Sequence, residues 1–188
     1  TREDGAKPEL RIDGLFNGSR TTPLVIPLVA LPGVGASARR MEMPRMLKPE
    51  NWRVNSSGDT EIFYDAAEKA IAFRTRFAPG TEDRWSYPEF VLPPGVLKDA
   101  IAVGFEVKVT PADQIRQMVL MAVCSDTKEH GPYISIAVPA PTGEWEYRSV
   151  FLPSYPRPES IRMFRLGVNA FTQEVSVKIR NIRIFHSR

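Results

Sequence analysis

The stretch "AIAVGFEVKV", residues 100–109, alternates without a break. Ile101, Val103, Phe105, Val107 and Val109 point one way, and Ala102, Gly104, Glu106 and Lys108 point the other. A period of two gives a strand one dry face and one wet face and does not fit a helix. The signature recurs at Ile71, Phe73, Thr75 and Phe77, which share a parity opposite Arg74 and Arg76. "QMVLMAVC" is apolar at both parities and predicts a strand covered on both faces. With "TEIFYD", "WSYPEFVL", "YISIAV", "WEYRSVFL", "IRMFRLGVN" and "VSVKIRNIRIF", the chain predicts about nine or ten short strands separated by turn residues. No strand–helix–strand alternation is present, which argues against a parallel α/β sheet and for an antiparallel sandwich or barrel.

The last strand carries a slip. Val175, Val177 and Ile179 share one parity, and Ile182 and Ile184 take the other. A β-bulge at Arg180–Asn181 would absorb one residue and keep both apolar sets on the core. Gly167, in the strand before, permits close approach of a neighbour.

Proline stands at 17 of 188 residues, about 9% against a usual level of roughly 5%, and points to many loops and turns. Residues 1–8 are polar. Residues 23–36 are apolar but broken by Pro23, Pro27 and Pro32. Residues 1–36 are therefore expected to form an N-terminal extension or an edge strand packed on the sandwich, with residues 37–188 as the sandwich itself; a leftover connector is the other reading of 23–36. "ARRMEMPRMLKPENW" is the best candidate for a short helix or irregular crossing, limited by Pro44 and Pro49.

The chemistry of most enzyme classes finds little support. Cys124 is the single cysteine, which excludes an intrachain disulfide, and its apolar setting reads as a small buried hydrophobe. His130 falls in a loop and His186 at a frayed end, so neither makes an obvious base for a nucleophile. "LPGVGAS" lacks the lysine and the strand–turn–helix setting of a phosphate loop. The formal charge is only +3 and the basic residues are spread, which argues against a nucleic-acid partner. No apolar run reaches the roughly 18 residues of a membrane span, and the polar start from Thr1 shows no leader. A soluble, processed chain or excised domain with no membrane partner is expected.

The segments "GEWEYRSVFLP" (143–153), "IRMFRLGVN" (161–169) and "VSVKIRNIRIF" (175–185) resemble the galactose-binding-like jelly-roll carbohydrate-binding modules appended to polysaccharide-active enzymes. In that family a Trp opens a strand after a turn, a late strand carries a Gly near its end, and the last strand holds a polar pair. "RWSYPEFVL" and "AIAVGFEVKV" sit in matching order, and the resemblance covers roughly residues 50–185. It implies an all-β antiparallel β-sandwich of jelly-roll type and a non-catalytic polysaccharide-binding module. It also implies a secreted, periplasmic or cell-surface location and a catalytic domain of the same parent protein as a partner. The alternatives are an accessory sandwich without a ligand and a small polysaccharide-degrading enzyme. Several such modules hold a structural calcium ion through acidic residues of the last strand. Arg180–Asn181 stands there instead, so no cofactor is expected; a structural calcium ion is the other reading, with oxygens supplied from elsewhere by Asp59, Glu61 and Asp65, although these lack the spacing of a calcium loop.

Sugars stack their apolar faces on flat rings while polar groups bond the hydroxyls. Trp85 and Tyr87 share a parity opposite Phe90 and Leu92, so a core set at 90 and 92 would display both rings. Arg165 and Asn169 lie opposite Leu166 and Val168. The expected ligand-binding set is Trp85, Tyr87, Arg74, Arg165, Asn169 and Tyr133, with Tyr155, Trp145 and Trp52 as further aromatic candidates. Arg74, Arg76, Lys108, Arg148 and Arg165 would suit an acidic glycan if their strands shared a sheet, although Glu89, Glu106 and Glu146 dilute that field.

Overall fold

The alternating stretches are strands. A computed structural model describes residues 39–124, 133–152 and 157–186, together with the backbone of 9–12, 15–16, 19–20 and 24–27. The chain divides into two compact units, 1–37 and 38–188. In the first, β1 (Glu9–Ile12) pairs antiparallel with β4 (Leu24–Pro27), and between them β2 (Leu15–Phe16) pairs with β3 (Ser19–Arg20). The first part of the proline-broken stretch thus takes residues 9–12 as its partner; residues 28–36 lie outside the described set.

The second unit contains β5 (Arg39–Glu42), β6 (Trp52–Val54), β7 (Asp59–Asp65), β8 (Ala70–Arg76), β9 (Trp85–Ser86), β10 (Pro88–Val91), β11 (Ala100–Thr110), β12 (Ile115–Val123), β13 (Tyr133–Val138), β14 (Glu146–Phe151), β15 (Met163–Ala170) and β16 (Glu174–His186). They form two six-stranded sheets. The front sheet runs β13-β12-β15-β10-β6, with β9 also on β15. The back sheet runs β14-β11-β16-β8-β7, with β5 also on β16. Every pairing is antiparallel. This is an antiparallel β-sandwich of jelly-roll type. The expected short helix before Trp52 is a pair of 3-10 turns, Pro44–Leu47 and Pro49–Asn51, each opened by its proline.

The core lies between the sheets. Phe73, Phe105, Val107, Ile179, Ile182 and Ile184 meet Trp52, Phe90, Met118, Leu120, Phe164 and Leu166 there. Trp52 sits edge-on to Phe73 with ring centroids 4.7 Å apart, and its Nε1 donates to the Met46 carbonyl at 2.8 Å. It is therefore a core residue whose single polar atom is satisfied.

The bulge falls where the alternation slips. Gly104 pairs with Arg183 and Glu106 with Arg180, so Asn181 and Ile182 together oppose Phe105. Asn181 takes φ of +51°, a left-handed conformation that asparagine tolerates better than most residues. The result is that Ile182 and Ile184 are 3% and 0% exposed. β12 is buried on both faces, as its composition implies. Met118, Leu120 and Ala122 belong to the core, while Val119, Met121 and Val123 form a second cluster with Met163 on the outer side.

Candidate functional site

That second cluster lies on the outer face of the front sheet, and Trp85 and Tyr87 pack against it. Ser86, between them, points inward: its hydroxyl meets Thr75 of the back sheet at 2.6 Å through the core, and Thr75 meets Thr60 at 2.9 Å. Alternation then forces both rings outward. The backbone carrying them is held on both edges. β15 pairs Val168 with Ser86 and Asn169 with Trp85. On the other edge, the Trp85 and Tyr87 N–H groups donate to the hydroxyls of Ser57 and Ser56, both at 2.8 Å.

Register arranges the outer face in rows. Gln117, Asn169 and Trp85 form one, and Ala137, Val119 and Gly167 the next, with Tyr87 above Gly167. Ser135, Met121, Arg165, Glu89 and Arg53 follow, then Tyr133, Val123, Met163 and Val91. Gly167 is required here: a Cβ on it would lie 2.8 Å from Tyr87 Cε1 and 2.7 Å from Val119 Cγ2. Tyr87 and Trp85 stack on each other, centroids 4.9 Å apart and planes 7° from parallel. Arg165 lies beyond Tyr87 on the side away from Trp85, its guanidinium carbon 5.6 Å from the ring centroid. Tyr87 thus lies between Trp85 and Arg165, and Trp85, partly buried, is the end ring of the stack.

Beneath the stack is a buried charge group. Glu89 is 2% exposed, and its Oε1 accepts from Arg165 Nε at 2.8 Å, from Arg165 Nη2 at 2.5 Å and from Asn55 at 3.1 Å. Arg53 Nε lies 3.8 Å from the other oxygen. At the Trp85 end, Asn169 is 3% exposed and its amide donates to Asp83 at 3.0 Å, while its Oδ1 is buried without a hydrogen-bond partner. Burial, and then the Asp83 carboxylate, raise the Tyr87 pKa and keep its hydroxyl a donor.

Five of the six expected ligand residues, Trp85, Tyr87, Arg165, Asn169 and Tyr133, therefore share one face, with Tyr133 exposed on the edge strand. Arg74 does not join them. It belongs to β8 of the back sheet, where it meets Glu61 at 3.5 Å and covers the Phe63 ring. Arg76, Lys108 and Arg148 also lie on the back sheet, so the supposed basic face is split between sheets and paired with carboxylates. Arg165 and Asn169 brace the rings from below and do not reach into solvent. Glu89, Arg53, Asp83 and Gln117 went unrecognised; the shared parity of 85, 87 and 89 was the available signal for Glu89. Tyr155 and His130 lie outside the described residues.

The bulge does not fit a calcium ion. Arg180 and Asn181 both bond Glu106, at 2.7 and 2.8 Å, and Arg180 stacks 4.0 Å from the centroid of the Trp145 ring. Trp145 donates to Glu68, and Lys178 bonds Asp65 at 2.7 Å and Glu68 at 3.3 Å. Among the described residues no His, Cys, Asp and Glu group could hold a metal. The carboxylates nearest the bulge are thus matched by cationic side chains. The nearby bonds hold Asp65, chiefly through Lys178, and Glu106, chiefly through Arg180, below the usual carboxylate range. Of the described candidates, neither is bonded to the other. Cys124 lies 3.7 Å from the Ser160 hydroxyl, whereas His186 ends β16, is not frayed, and meets the Val96 carbonyl at 3.0 Å.

No protein-family model and no curated protein matches the chain. Solved structures do. A family 11 carbohydrate-binding module from Clostridium thermocellum, solved with a β-1,3-1,4-mixed-linked tetrasaccharide, aligns over 79% of this chain and 96% of its own at 14% identity and a TM-score of 0.51. A family 29 carbohydrate-binding module aligns over 79% and 92%, at 12% identity and 0.51. The K2 cleaved adhesin domain of Lys-gingipain aligns over 78% and 99%, at 10% identity and 0.53. At these identities the likeness is one of backbone architecture: residues 38–188 have the jelly-roll β-sandwich fold of carbohydrate-binding modules.

Proposed function

We propose that the protein is a non-catalytic polysaccharide-binding module that uses the outer face of the front sheet. The observation that carries this reading is the Trp85–Tyr87 stack, mounted outward on a strand held at both edges and braced by the Arg165–Glu89 pair. A sugar lays its apolar face against the Trp85 ring, and Asp83, Gln117 and the edge-strand Tyr133 offer groups to its hydroxyls. The pairing of Arg165 with Glu89 favours a neutral chain over an acidic one. The tetrasaccharide on the family 11 module supports a glucan as the first ligand to test. A secreted or cell-surface location and a catalytic domain in the same parent protein belong to this reading, as does folding without a metal ion.

Affinity electrophoresis and titration calorimetry against mixed-linked β-glucan, mannan and polygalacturonate test it. Binding to a neutral glycan is expected. Trp85→Ala should weaken it by about tenfold or more, equivalent to ~1.4 kcal/mol, and lower the melting temperature by less than truncation of the core Trp52, because Trp85 is only partly buried. Absence of binding to every glycan would leave the accessory sandwich without a ligand as the better description.

A further inference from the structure

The outer face of the back sheet carries a second aromatic group. Cross-strand rows place Phe151, Ala102 and Phe185 side by side, then Ser149, Gly104 and Arg183, then Tyr147, Glu106 and Arg180. The floor is made of three of the smallest side chains: Ala102 and Gly104 are buried, with the Tyr147 and Phe185 rings closing over Gly104, and Ser149 is exposed. Gly104 is again a necessity. A Cβ there would collide with the Tyr147 hydroxyl and lie 2.8 Å from Phe185 Cε2. Tyr147 and Phe151 are 48% and 45% exposed, although both are large and apolar. The arrangement repeats that of Tyr87 over Gly167 on the opposite sheet, and the proposed front-sheet site makes no use of it.

We propose that this face is a second carbohydrate site, taking a segment of a neutral polysaccharide chain against the exposed rings of Tyr147 and Phe151, on either side of Ser149. The inference rests on the reading of the chain as a glycan binder. Two observations favour a sugar over a protein. The first is size. The aromatic group is bounded within a row or two by Arg40, by the Arg183–Glu42 pair at 2.7 Å and by the Arg180–Glu106 pair at 2.7 Å. That apolar patch is far smaller than the roughly 800 Å² that each partner of a stable protein complex buries. The second is charge. The arginines and carboxylates nearest the floor are already joined to one another, so they offer fixed donors and acceptors to hydroxyls without a strong net field for a carboxylate or sulfate. Ser149 adds a hydroxyl at the floor itself. The two sites lie on opposite outer faces of one sandwich, so one module would tie two polysaccharide chains together.

Titration of mixed-linked β-1,3-1,4-glucan oligosaccharides into the full chain tests this. The expected result is two oligosaccharides per wild-type chain, one per Trp85→Ala chain and one per Tyr147→Ala/Phe151→Ala chain. Ser149→Arg, which fills the exposed position between Tyr147 and Phe151 and leaves the rings in place, should act like the double variant and guards against loss of folding in it. Long glucan should be cross-linked by the wild type and not by either single-site variant, measured by turbidity. One oligosaccharide per wild-type chain, abolished by Trp85→Ala and untouched by Ser149→Arg, would overturn the second site and leave the front-sheet site standing. Failure of the wild type to bind any neutral glycan would overturn both.

Discussion

Replacing Glu89 tests the base of the front-sheet site directly. Its carboxylate is 2% exposed and is bonded twice by Arg165, itself 6% exposed, and once by Asn55. Glu89→Gln keeps the shape and removes the charge. The Arg165 guanidinium then stays buried with a neutral partner. Breaking a buried pair in this way costs about 3–5 kcal/mol. For a domain of this size each kcal/mol corresponds to roughly 2–4 °C, so a fall of about 6–20 °C in melting temperature is expected. Urea unfolding followed by tryptophan fluorescence gives the free energy, provided the m-value is unchanged. The companion variant Glu89→Leu/Arg165→Met removes both charges together. Apolar replacement of a buried pair is often neutral or stabilising, so this variant should recover most of the loss. It should still bind glycan less well, because Tyr87 loses the cation that flanks its ring and the stack can tilt. A cost below about 1 kcal/mol for Glu89→Gln, as at solvated surface pairs, would refute the idea that this pair is a dry foundation for the rings.

Three further outcomes follow from other parts of the fold. Gly167→Ala should cost about 1–3 kcal/mol by overpacking and shift the tryptophan emission, since the new methyl must displace Tyr87 or Val119. Asn181→Val should cost about 1–3 kcal/mol because its left-handed φ suits a β-branched residue poorly, whereas Asn181→Gly should lose only the bond to Glu106, as denaturant midpoints would register. Glu146 is held by the Thr142 hydroxyl and then the Thr142 N–H, with Arg148 adding to them, which lowers its pKa from the usual 4.5 to about 2. A carboxylate depressed in the folded state stabilises it above the unfolded value, and that contribution fades as pH falls from 4.5 towards 2. An NMR titration should therefore give a Glu146 midpoint near 2 in the wild type and a clearly higher one in Thr142→Ala.

Much of this arrangement was legible in the sequence because a strand's faces follow from alternation alone. The slip at Arg180–Asn181 located a bulge, and the parity of "WSYPEFVL" set Trp85 and Tyr87 opposite Phe90 and Leu92, leaving open which pair faced the core. Arg74 shows where that reasoning stops. Alternation says that a side chain leaves the core but not from which sheet, and sheet membership is decided by pairings distant in sequence, here β8 with β16. Arg165 shows a second limit. It faces outward as expected, yet it is buried, because Glu89 lies 76 residues away on the neighbouring strand and Tyr87 overhangs it. The back-sheet aromatics escaped notice for the same reason: Tyr147 and Phe185 meet only through Gly104, on a strand between them.

The hydroxyl chain from Ser86 through Thr75 to Thr60 bears on how the binding strand finds its place. β9 has only two residues, too few for backbone bonds to choose among alternative alignments. A slip by one position would drive Trp85 into the core and expose Ser86. It would also leave the Thr75 hydroxyl, which is wholly buried, without its closest partner. Two buried hydroxyls, Ser86 and Thr75, backed by the partly buried Thr60, thus act as a key cut for one alignment. Errors of assembly at the ligand face would be rejected from within the core, by a misfit that no residue on the surface has to sense.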